Sequence, residues 1–429
     1  MGQPGLIAVI VADDLTGAMD AAAPFAERGL RVCVLATPDT LKAALNHPPD
    51  VLSISTNTRH ATPERAASVI GSLFEHLARA QPRILFKKID STLRGNLIVE
   101  TAAALQASKR PHLFLCPAVP AQGRTFSDGM LYLDGVPLET TAIGRDQRSP
   151  PPKTPLADLF RQGFPQADIR VGGAVDTSTL PTSRQPLIQL LDAETSQQLR
   201  TIAVTTTPLQ DSALFVGAAG MAEALAETHP VSPPAMSPES CLPGIGLFVV
   251  GSRTPESAEQ VQRLLAKHPA ADLLELADDR PLDIAEESSL LADVQRAKIV
   301  ILRAPKTCEE APLDPDRVAA ALAATAAKII ERTRVAFLCV TGGDTVFSLL
   351  NELKTERIDV FGEVQPGIVY GRVTSPAGPL TLVTKAGGFG DSEVFCTVES
   401  FFHELPRQRS RRTSEEKQTR SRHKKEGNQ

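Results

Sequence analysis

The sequence lacks any apolar stretch long enough to span a membrane. Its longest apolar runs, Leu6 to Ala12 and Gly246 to Val250, fall far short of the roughly 20 residues that a membrane-spanning helix needs. No hydrophobic signal region follows Met1 either. Both absences predict a soluble, cytoplasmic protein without a membrane partner.

Cysteine is scarce, and its spacing fits neither a metal site nor a disulfide framework. The six cysteines lie far apart without a C-x-x-C pair, which argues against a zinc site and against a small secreted disulfide-rich fold. Most are expected to be reduced thiols in the core. Eight scattered histidines show no ligand spacing, so no metal ligand is assigned. The cysteines are Cys33, Cys116, Cys241, Cys308, Cys339 and Cys396.

Net positive charge, which favours bulk binding to nucleic acid, is also absent. The chain carries 45 Lys and Arg against 50 Asp and Glu, a net charge of −5. Its last 24 residues, 406–429, hold nine Lys and Arg against three Glu, which leaves the preceding residues at −11. An acidic body argues against a nucleic-acid partner. The polar, aperiodic tail is expected to be a disordered extension.

Several common catalytic motifs are missing as well. The chain contains no Gly-Lys dipeptide, which excludes the Walker A loop, and no G-x-G-x-x-G dinucleotide pattern. G-x-S-x-G and H-E-x-x-H are also absent, which weakens the hydrolase and zinc-protease interpretations. Any nucleotide site in this chain must therefore use another arrangement.

What the sequence does contain is a repeated βα pattern. Five segments, starting at Ile7, Ile84, Leu247, Val335 and Leu380, each join a short apolar run to a polar turn and a helix-period stretch. This pattern predicts an α/β fold: two α/β domains with largely parallel sheets and an interdomain cleft. The expected boundaries are a domain at 1–229, a Pro/Ser linker at 230–243, a domain at 244–405 and the tail at 406–429.

Chemistry-bearing residues of the first half follow its strands. Asp13 and Asp14 come after Ile7 to Val11, where a carboxylate can take a proton from a substrate hydroxyl, hold a metal or merely cap the next helix. Lys88 and Asp90 share a strand face, and Ser91 and Thr92 are expected to cap the helix that follows.

Cations are concentrated in the same region of the sequence. Lys87, Lys88 and Arg94 lie around Asp90, and Arg59 can supply a two-pronged grip on a carboxylate. Together they indicate a site for a small hydroxylated anion, although Arg59 or Lys87 taken alone also fits a solvated surface charge. The loop CPAVPAQGRTFSDG, which contains Arg124, is expected to form a lid, a substrate wall or a plain surface loop.

Glycine-rich turns mark the second half. Three apolar runs end in GSRT, TGGDT and KAGGFGD. Glycine allows close backbone approach to a ligand, and the N-terminus of each following helix favours phosphate. One such turn is weak evidence because glycine also serves tight turns, but three in one domain predict a nucleotide or phosphate site.

Taken together, ADDLTGAMD, KKIDSTLRGN, CPAVPAQGRT, VVGSRT, TGGDT and TKAGGFGD resemble the four-carbon acid sugar kinase family over about residues 5 to 402. The resemblance implies an N-terminal domain that binds a four-carbon sugar acid and a C-terminal domain that binds ATP. The implied reaction moves the γ-phosphoryl group to the 4-hydroxyl of threonate, erythronate or a 3-oxo-tetronate. The form KIDSTLRGN is more similar to the threonate and erythronate branch, with D-threonate first and D-erythronate second.

The resemblance also implies site residues. Phosphoryl transfer needs Mg²⁺ for the phosphate charge and a carboxylate for the hydroxyl proton. The first choice for that catalytic carboxylate is Asp14 and the second is Asp90, with Asp391 on the metal or phosphate side. The substrate-binding residues would be Asp14, Arg59, Lys87, Lys88, Ile89, Asp90, Ser91 and Arg94. The nucleotide-binding residues would be Ser252, Gly342, Gly343, Asp344, Thr345, Gly387, Gly388, Phe389 and Gly390.

Two other functions remain open from the sequence. One is a nucleotide-responsive protein that senses sugar acids without turnover, and the other is a sugar-acid dehydrogenase. Retention of carboxylates beside the cationic strand end favours an enzyme over a sensor, and the missing dinucleotide pattern disfavours the dehydrogenase. The oligomeric state stays open, a homo-oligomer included.

Overall fold

A computed structural model describes residues 6–141, 143–145, 151–173, 175, 185–235, 243–284, 289–305 and 313–404. The chain divides into two compact units: Met1–Met236 with Glu356–Glu363, and Ser237–Thr355 with Val364–Gln429. Both units are α/β with largely parallel sheets, which confirms the predicted fold class. The expected interdomain cleft stays a prediction, and the basic tail 406–429 lies outside the described residues.

The first unit alternates strands and helices along most of its length. Its strands are β1 (Ala8–Ala12), β2 (Val32–Leu35), β3 (Val51–Ser55), β4 (Ile84–Lys88), β5 (His112–Cys116), β6 (Arg124–Ser127), β7 (Met130–Leu133), β8 (Val136–Pro137), β9 (Asp168–Gly172), β10 (Leu187–Leu191) and β11 (Ala213–Gly217). Its helices are α1 (Leu15–Glu27), α2 (Leu41–Asn46), α3 (Pro63–Ala80), α4 (Leu97–Ser108), α5 (Leu156–Gly163), α6 (Ser196–Thr206) and α7 (Ala219–Glu227).

The sheet of the first unit reverses its strand order at β1. Its parallel strands run in the order β2-β3-β1-β4-β11-β5-β10-β9, while β6, β7 and β8 form a small antiparallel sheet. Strands β1, β3 and β4 are buried along their whole length, as expected for continuous apolar runs in a parallel sheet. The chain leaves β1 toward β2 and β3 on one side and then continues at β4 on the other. Ligands of open α/β sheets bind where the order reverses in this way.

One strand corrects the expected domain boundaries. The segment Glu356–Glu363 belongs to the first unit, although the sequence analysis assigned 244–405 to one domain. Residues Arg357 to Val360 pair antiparallel with β2, which would otherwise leave an unpaired sheet edge. The local βα pattern gives no sign of this long-range pairing.

The second unit repeats the same local strand order. Its parallel strands run β13-β14-β12-β15-β18, so the order reverses between β12 and β15, and β17 joins β18 antiparallel. The strands are β12 (Ile245–Val250), β13 (Asp272–Glu275), β14 (Ile299–Arg303), β15 (Val335–Thr341), β17 (Ile368–Ser375) and β18 (Gly378–Lys385). Between β15 and β17 the chain forms β16 (Arg357–Gln365), which belongs to the first unit as far as Glu363. The helices are α8 (Pro255–Lys267), α9 (Ser289–Arg296), α10 (Pro315–Arg332), α11 (Gly343–Glu352) and α12 (394–404).

Local side chains determine where α8 begins, and aromatic rings pack in the core of the second unit. Thr254 caps α8 by accepting the N–H of Ser257, and Pro255 fills the first helical position, where no N–H is needed. Phe248 and Phe395 pack in the second core with ring centroids 5.3 Å apart.

Four of the six cysteines lie within the described residues. Cys33, Cys116, Cys339 and Cys396 are buried free thiols, whereas Cys241 and Cys308 lie outside the described residues. Within the described ranges, every helix is too short or too polar to cross a membrane.

Candidate active site

Two adjacent carboxylates follow β1, and one arginine binds both. Arg59 Nε and Nη2 donate to the two oxygens of Asp13 at 2.8 and 2.9 Å, and Arg59 Nη1 donates to Asp14 Oδ2 at 2.9 Å. The loop before α3 reaches this position because the backbone N–H groups of Thr58 and Arg59 both donate to the carbonyl of Asp13. The carboxyl end of β1 therefore carries a compact ionic cluster.

Asp14 is both a helix cap and a member of this cluster. Its Oδ1 accepts the N–H of Gly17 at 2.9 Å, and its Oδ2 accepts the hydroxyl of Thr16 at 2.7 Å. In the described part of the chain Oδ1 accepts that one bond, which leaves a lone pair for a ligand. The side chain is 15% exposed, against 5% for Asp13, so Asp14 is the more accessible of the two carboxylates.

Arg59 differs from its expected role as a free, two-pronged donor for a substrate carboxylate. Its guanidinium is engaged by Asp13 and Asp14, and Nη2 also lies 3.6 Å from Asp90 Oδ1. Burial works against the charge of Arg59, but the three carboxylates raise its pKa well above the usual value. Conversely, burial alone would raise the pKa of Asp13, and the charges of Arg59 and Lys87 lower it. Arg59 therefore holds Asp13 and Asp14 in place and favours the ionised form of Asp13.

Asp90 is enclosed by its own loop. Its carboxylate accepts the hydroxyl and N–H of Thr92 and the N–H and guanidinium of Arg94, whose two bonds are each 2.9 Å long. Burial would raise the pKa of Asp90, but Arg59, Arg94 and these hydrogen bonds hold it far below its ordinary value. With its oxygens so heavily bonded, Asp90 is a poor proton acceptor.

The same loop corrects the expected helix start. The sequence predicts that Ser91 and Thr92 cap a helix, whereas α4 begins at Leu97. The Asp90 carboxylate captures the N–H groups of Thr92 and Arg94, and Gly95 adopts a φ of +88°, which suits glycine. Asn96 then donates to the carbonyls of Thr58 and Ala61 at 2.9 Å each, which ties this loop to the Arg59 loop.

Lys87 and Lys88 point to opposite faces of the sheet, as adjacent strand residues do. Lys87 Nζ is buried and lies 2.7 Å from Glu100 Oε2 of α4, which differs from its expected place among the substrate-binding residues. Lys88 lies on the α1 face, where a Cβ added at Gly17 would come within 3.4 Å of its Nζ.

Two further predicted residues also follow β4. Ile89 is buried, its N–H donates to Gly217, and its carbonyl accepts Lys88 Nζ at 2.8 Å. Ser91 is partly exposed. Of the segment from Lys87 to Ser91, Lys88 and Ser91 are therefore the side chains best placed for a ligand.

We predict that Lys87→Met lowers the free energy of unfolding of the first unit by about 3–5 kcal/mol, because it leaves Glu100 buried and unpaired. The double variant Lys87→Met/Glu100→Leu should recover most of that loss, since a buried ion pair replaced by apolar side chains is often neutral. Urea unfolding of wild type and both variants measures this. A double variant that is stable but binds the sugar acid poorly would return Lys87 to the substrate site.

Asp20, which the sequence analysis did not name, and Arg124 of the CPAVPAQGRT loop also lie near this site. Asp20 is the one charged residue between Leu15 and Phe25 of the buried helix α1, one turn beyond Gly17. Burial raises the pKa of Asp20, and Lys88, Asp14 and Arg124 are its charged neighbours. A carboxylate at the i+3 position from Gly17, with no other charged residue between Leu15 and Phe25, was the available signal.

Arg124 follows the CPAVPAQGRT loop at the start of β6. Its Nη1 donates to the carbonyl of Gln122 at 2.8 Å, and burial lowers its pKa. Its charged neighbours include Asp90, Asp134 and Asp20. The loop therefore brings a cation to the carboxylate cluster.

The three glycine turns of the second unit meet at one edge of its sheet. They follow β12, β15 and β18, which are adjacent and parallel, so their carboxyl ends lie side by side. A Cβ added at Gly387 would lie 2.7 Å from Ser252 Oγ, and one at Gly342 would lie 3.8 Å from the nitrogen of Ser252. The structure thus brings together Ser252, Gly342 and Gly387, three of the residues that the sequence predicts for the nucleotide site.

A helix without a side-chain cap begins at this edge. Gly342 has a φ of +94° and precedes α11, whose first turn contains Gly343, Asp344 and Thr345. Uncapped N–H groups at a helix start, with the helix dipole behind them, favour an anion. No group of three or more His, Cys, Asp or Glu side chains within the described ranges is arranged to hold a metal ion.

Comparison with known proteins agrees with this division. A sugar-binding N-terminal domain model matches residues 8–225, and a nucleotide-binding C-terminal domain model matches residues 247–395. A D-threonate kinase of Salmonella typhimurium is 29% identical, covering 92% of this chain and 98% of that protein. A D-threonate kinase of Bordetella bronchiseptica is 30% identical, with coverage of 90% and 95%. A D-erythronate kinase of Heliobacterium modesticaldum is 29% identical, with coverage of 92% and 96%.

A solved structure shares the fold. A protein of Salmonella typhimurium LT2, 22% identical, superposes with a TM-score of 0.72 and covers 93% of this chain and 100% of its own. At that identity the likeness establishes the fold alone.

Proposed function

Because this chain belongs to the four-carbon acid sugar kinase family, a family of alcohol phosphotransferases, we propose that it transfers the γ-phosphoryl group of ATP to the 4-hydroxyl of D-threonate. The observation that carries this proposal is the cluster of Asp13, Asp14 and Asp90 around Arg59 at the point where the first sheet reverses. Since ATP is the donor, we place the reaction in the cytoplasm.

Asp14 takes the proton of the 4-hydroxyl in this proposal. It has the accessible lone pair, whereas the oxygens of Asp90 are bound by Thr92 and Arg94. A fixed carboxylate beside the hydroxyl serves as general base for phosphoryl transfer. Arg59 acts through Asp14 by fixing the direction of its oxygens.

The substrate carboxylate needs a cation other than Arg59. We assign this role to Lys88 and Arg124, which share Asp20 as a charged neighbour. Asp20 itself is suited to accept hydrogen bonds from the hydroxyls at C2 and C3. Pairing of the acid with the buried Lys88 and the half-buried Arg124 gives strong, directional binding to a small ligand.

The nucleotide phosphates are held by the turn at Ser252, the start of α11 and the loop Gly387 to Gly390. Mg²⁺ binds ATP phosphates with one or two protein carboxylates and keeps several waters, so it needs no cluster of three ligands. Asp344 and Asp391 fit that requirement because both lie at the glycine turns. When bound, Mg²⁺ would neutralise charge on the phosphates.

D-erythronate is the second candidate substrate, since one inverted hydroxyl changes only which donor or acceptor it meets. A D-erythronate kinase is also among the similar proteins, at almost the same identity. A 3-oxo-tetronate kinase and a non-catalytic nucleotide-dependent sensor are the remaining alternatives.

A coupled ADP-release assay over D-threonate, L-threonate, D-erythronate and L-erythronate tests the proposal. We expect the highest kcat/KM with D-threonate, and only background ATP hydrolysis when no acid is present. Tight binding of acid and ATP without ADP release would establish the sensor instead. Turnover confined to a 3-oxo-tetronate would move the chain to that branch.

A further inference from the structure

Five backbone carbonyls of the loop after β18 turn toward buried side-chain donors. Lys385 Nζ donates to the carbonyls of Ala386, Gly387 and Phe389 at 3.1, 2.8 and 2.9 Å. Lys385 is fully buried, so its three N–H groups are committed to this one loop.

Helix α8 supplies the other two donors. Ser257 Oγ donates to the carbonyl of Gly387 at 3.0 Å. Gln260 Nε2 lies 3.2, 3.2 and 2.9 Å from the carbonyls of Phe389, Gly390 and Asp391. Both side chains belong to fully buried residues. Three side chains from two elements therefore hold five carbonyls of one short loop.

A carbonyl that accepts one of these hydrogen bonds fixes the direction of the N–H in the same peptide unit. The peptide unit is planar and trans, so the N–H of each following residue points away from the buried donors. The affected N–H groups are those of Gly387, Gly388, Gly390, Asp391 and Ser392. Among the described residues, none of the first four is bonded to a protein acceptor. Successive backbone N–H groups without a protein acceptor can form an anion-binding concavity.

We propose that Lys385, Ser257 and Gln260 are positioning residues that aim the N–H groups of the loop Gly387 to Asp391 at the phosphates of the bound nucleotide. The proposal rests on the nucleotide site of the second unit. It adds three buried residues, none of which touches the ligand itself, to the glycines that the sequence singles out. Their effect is specific to the phosphate end of the nucleotide.

The charge of Lys385 adds a pH dependence to this role. Burial lowers the pKa of Lys385 to about 8, while Cys339 of β15 and Glu256 of α8 favour its charged form. The ring of Phe395 lies 5.8 Å from Nζ. Above this pH the neutral amine has one donor fewer and no charge for the three carbonyls, so the affinity for ATP should fall as the pH rises through 8.

The test is calorimetric titration of the full chain with ATP, ADP and adenosine. We expect Ser257→Ala to weaken ATP and ADP binding about 3- to 10-fold, and Gln260→Leu by at least as much, in the range of lost hydrogen bonds. Adenosine, which has no phosphate, should bind the variants and the wild type equally. Gln262→Leu, the same substitution on the exposed side of α8, is the matched control and should change nothing.

The possible results distinguish the positioning role of these residues from the proposed kinase activity. An unchanged ATP affinity in both variants, or an equal loss for ATP and adenosine, overturns the positioning role. If the ATP losses appear but no acid is phosphorylated, this inference stands and the kinase proposal fails. Lys385→Met should give the largest change, and if that variant fails to fold, Ser257→Ala and Gln260→Leu still decide the test.

Discussion

Asp14→Asn is expected to lower kcat by about 10²-fold or more, the range found when a general base is removed. Asparagine is as good a helix cap as aspartate, so its carbonyl oxygen can still accept the N–H of Gly17 and α1 stays intact. What the substitution removes is the charge and the ability to take a proton. The KM for ATP should stay near its wild-type value. The ADP-release assay with D-threonate measures both constants.

Asp39→Asn is the matched control for this variant. Asp39 is exposed in a short turn outside the site, so the same chemical change should leave turnover unaltered. Near-normal turnover of Asp14→Asn would contradict the assignment and move the proton acceptor to Asp90 or Asp20. Asp20→Asn then distinguishes those two.

Arg59→Met is expected to lower the free energy of unfolding of the first unit by about 3–5 kcal/mol and to abolish most turnover. The variant leaves Asp13, Asp14 and Asp90 close together with their shared cation removed. Breaking a buried ion pair costs far more than the pair itself contributes, because the remaining charges stay desolvated. Urea unfolding at neutral pH measures the loss.

The loss should depend on pH in a defined direction. In the wild type the pKa of Asp13 is below 3.8, so its contribution to stability is present above that pH and is lost as the pH falls toward the folded-state value. Without Arg59, Lys87 alone opposes the effect of burial, so the pKa of Asp13 should rise. The deficit of Arg59→Met should therefore shrink as the pH is lowered from 7 toward 4.

Arg31→Met provides the comparison. Arg31 also donates two bonds to one carboxylate, that of Asp50, but its side chain is 49% exposed. Exposed pairs contribute about 0–1 kcal/mol, so this variant should be close to wild type. An Arg59 variant as mild as Arg31→Met would show that the cluster is well solvated and would remove the argument for a fixed base.

The local strand-helix units of the fold could be predicted from the sequence. The five βα segments correspond to β1, β4, β12, β15 and β18, and the glycine turns after the last three meet because adjacent parallel strands end at one sheet edge. The order of the strands in the sheets could not be predicted from the sequence. The insertion of β11 between β4 and β5, and the pairing of β16 with β2, join residues far apart in sequence.

The site residues also divide into those that local sequence predicts and those that depend on long-range contacts. Asp14 and Arg59 could be proposed from position and charge, but the sharing of Arg59 among three carboxylates depends on three separate loops. The opposite orientations of Lys87 and Lys88 follow from strand alternation and were available from the sequence. Lys385, Ser257 and Gln260 contact carbonyls, and no sequence motif shows which carbonyls turn inward.

Transfer to the 4-hydroxyl is tested most directly by the ³¹P NMR spectrum of the product formed from ATP and D-threonate. Carbon 4 of D-threonate carries two protons, so a phosphate ester on its hydroxyl should give a triplet in the proton-coupled spectrum. A doublet would place the phosphate on a secondary hydroxyl, and inorganic phosphate alone would mean hydrolysis without transfer. Either result would contradict phosphoryl transfer to the 4-hydroxyl of D-threonate.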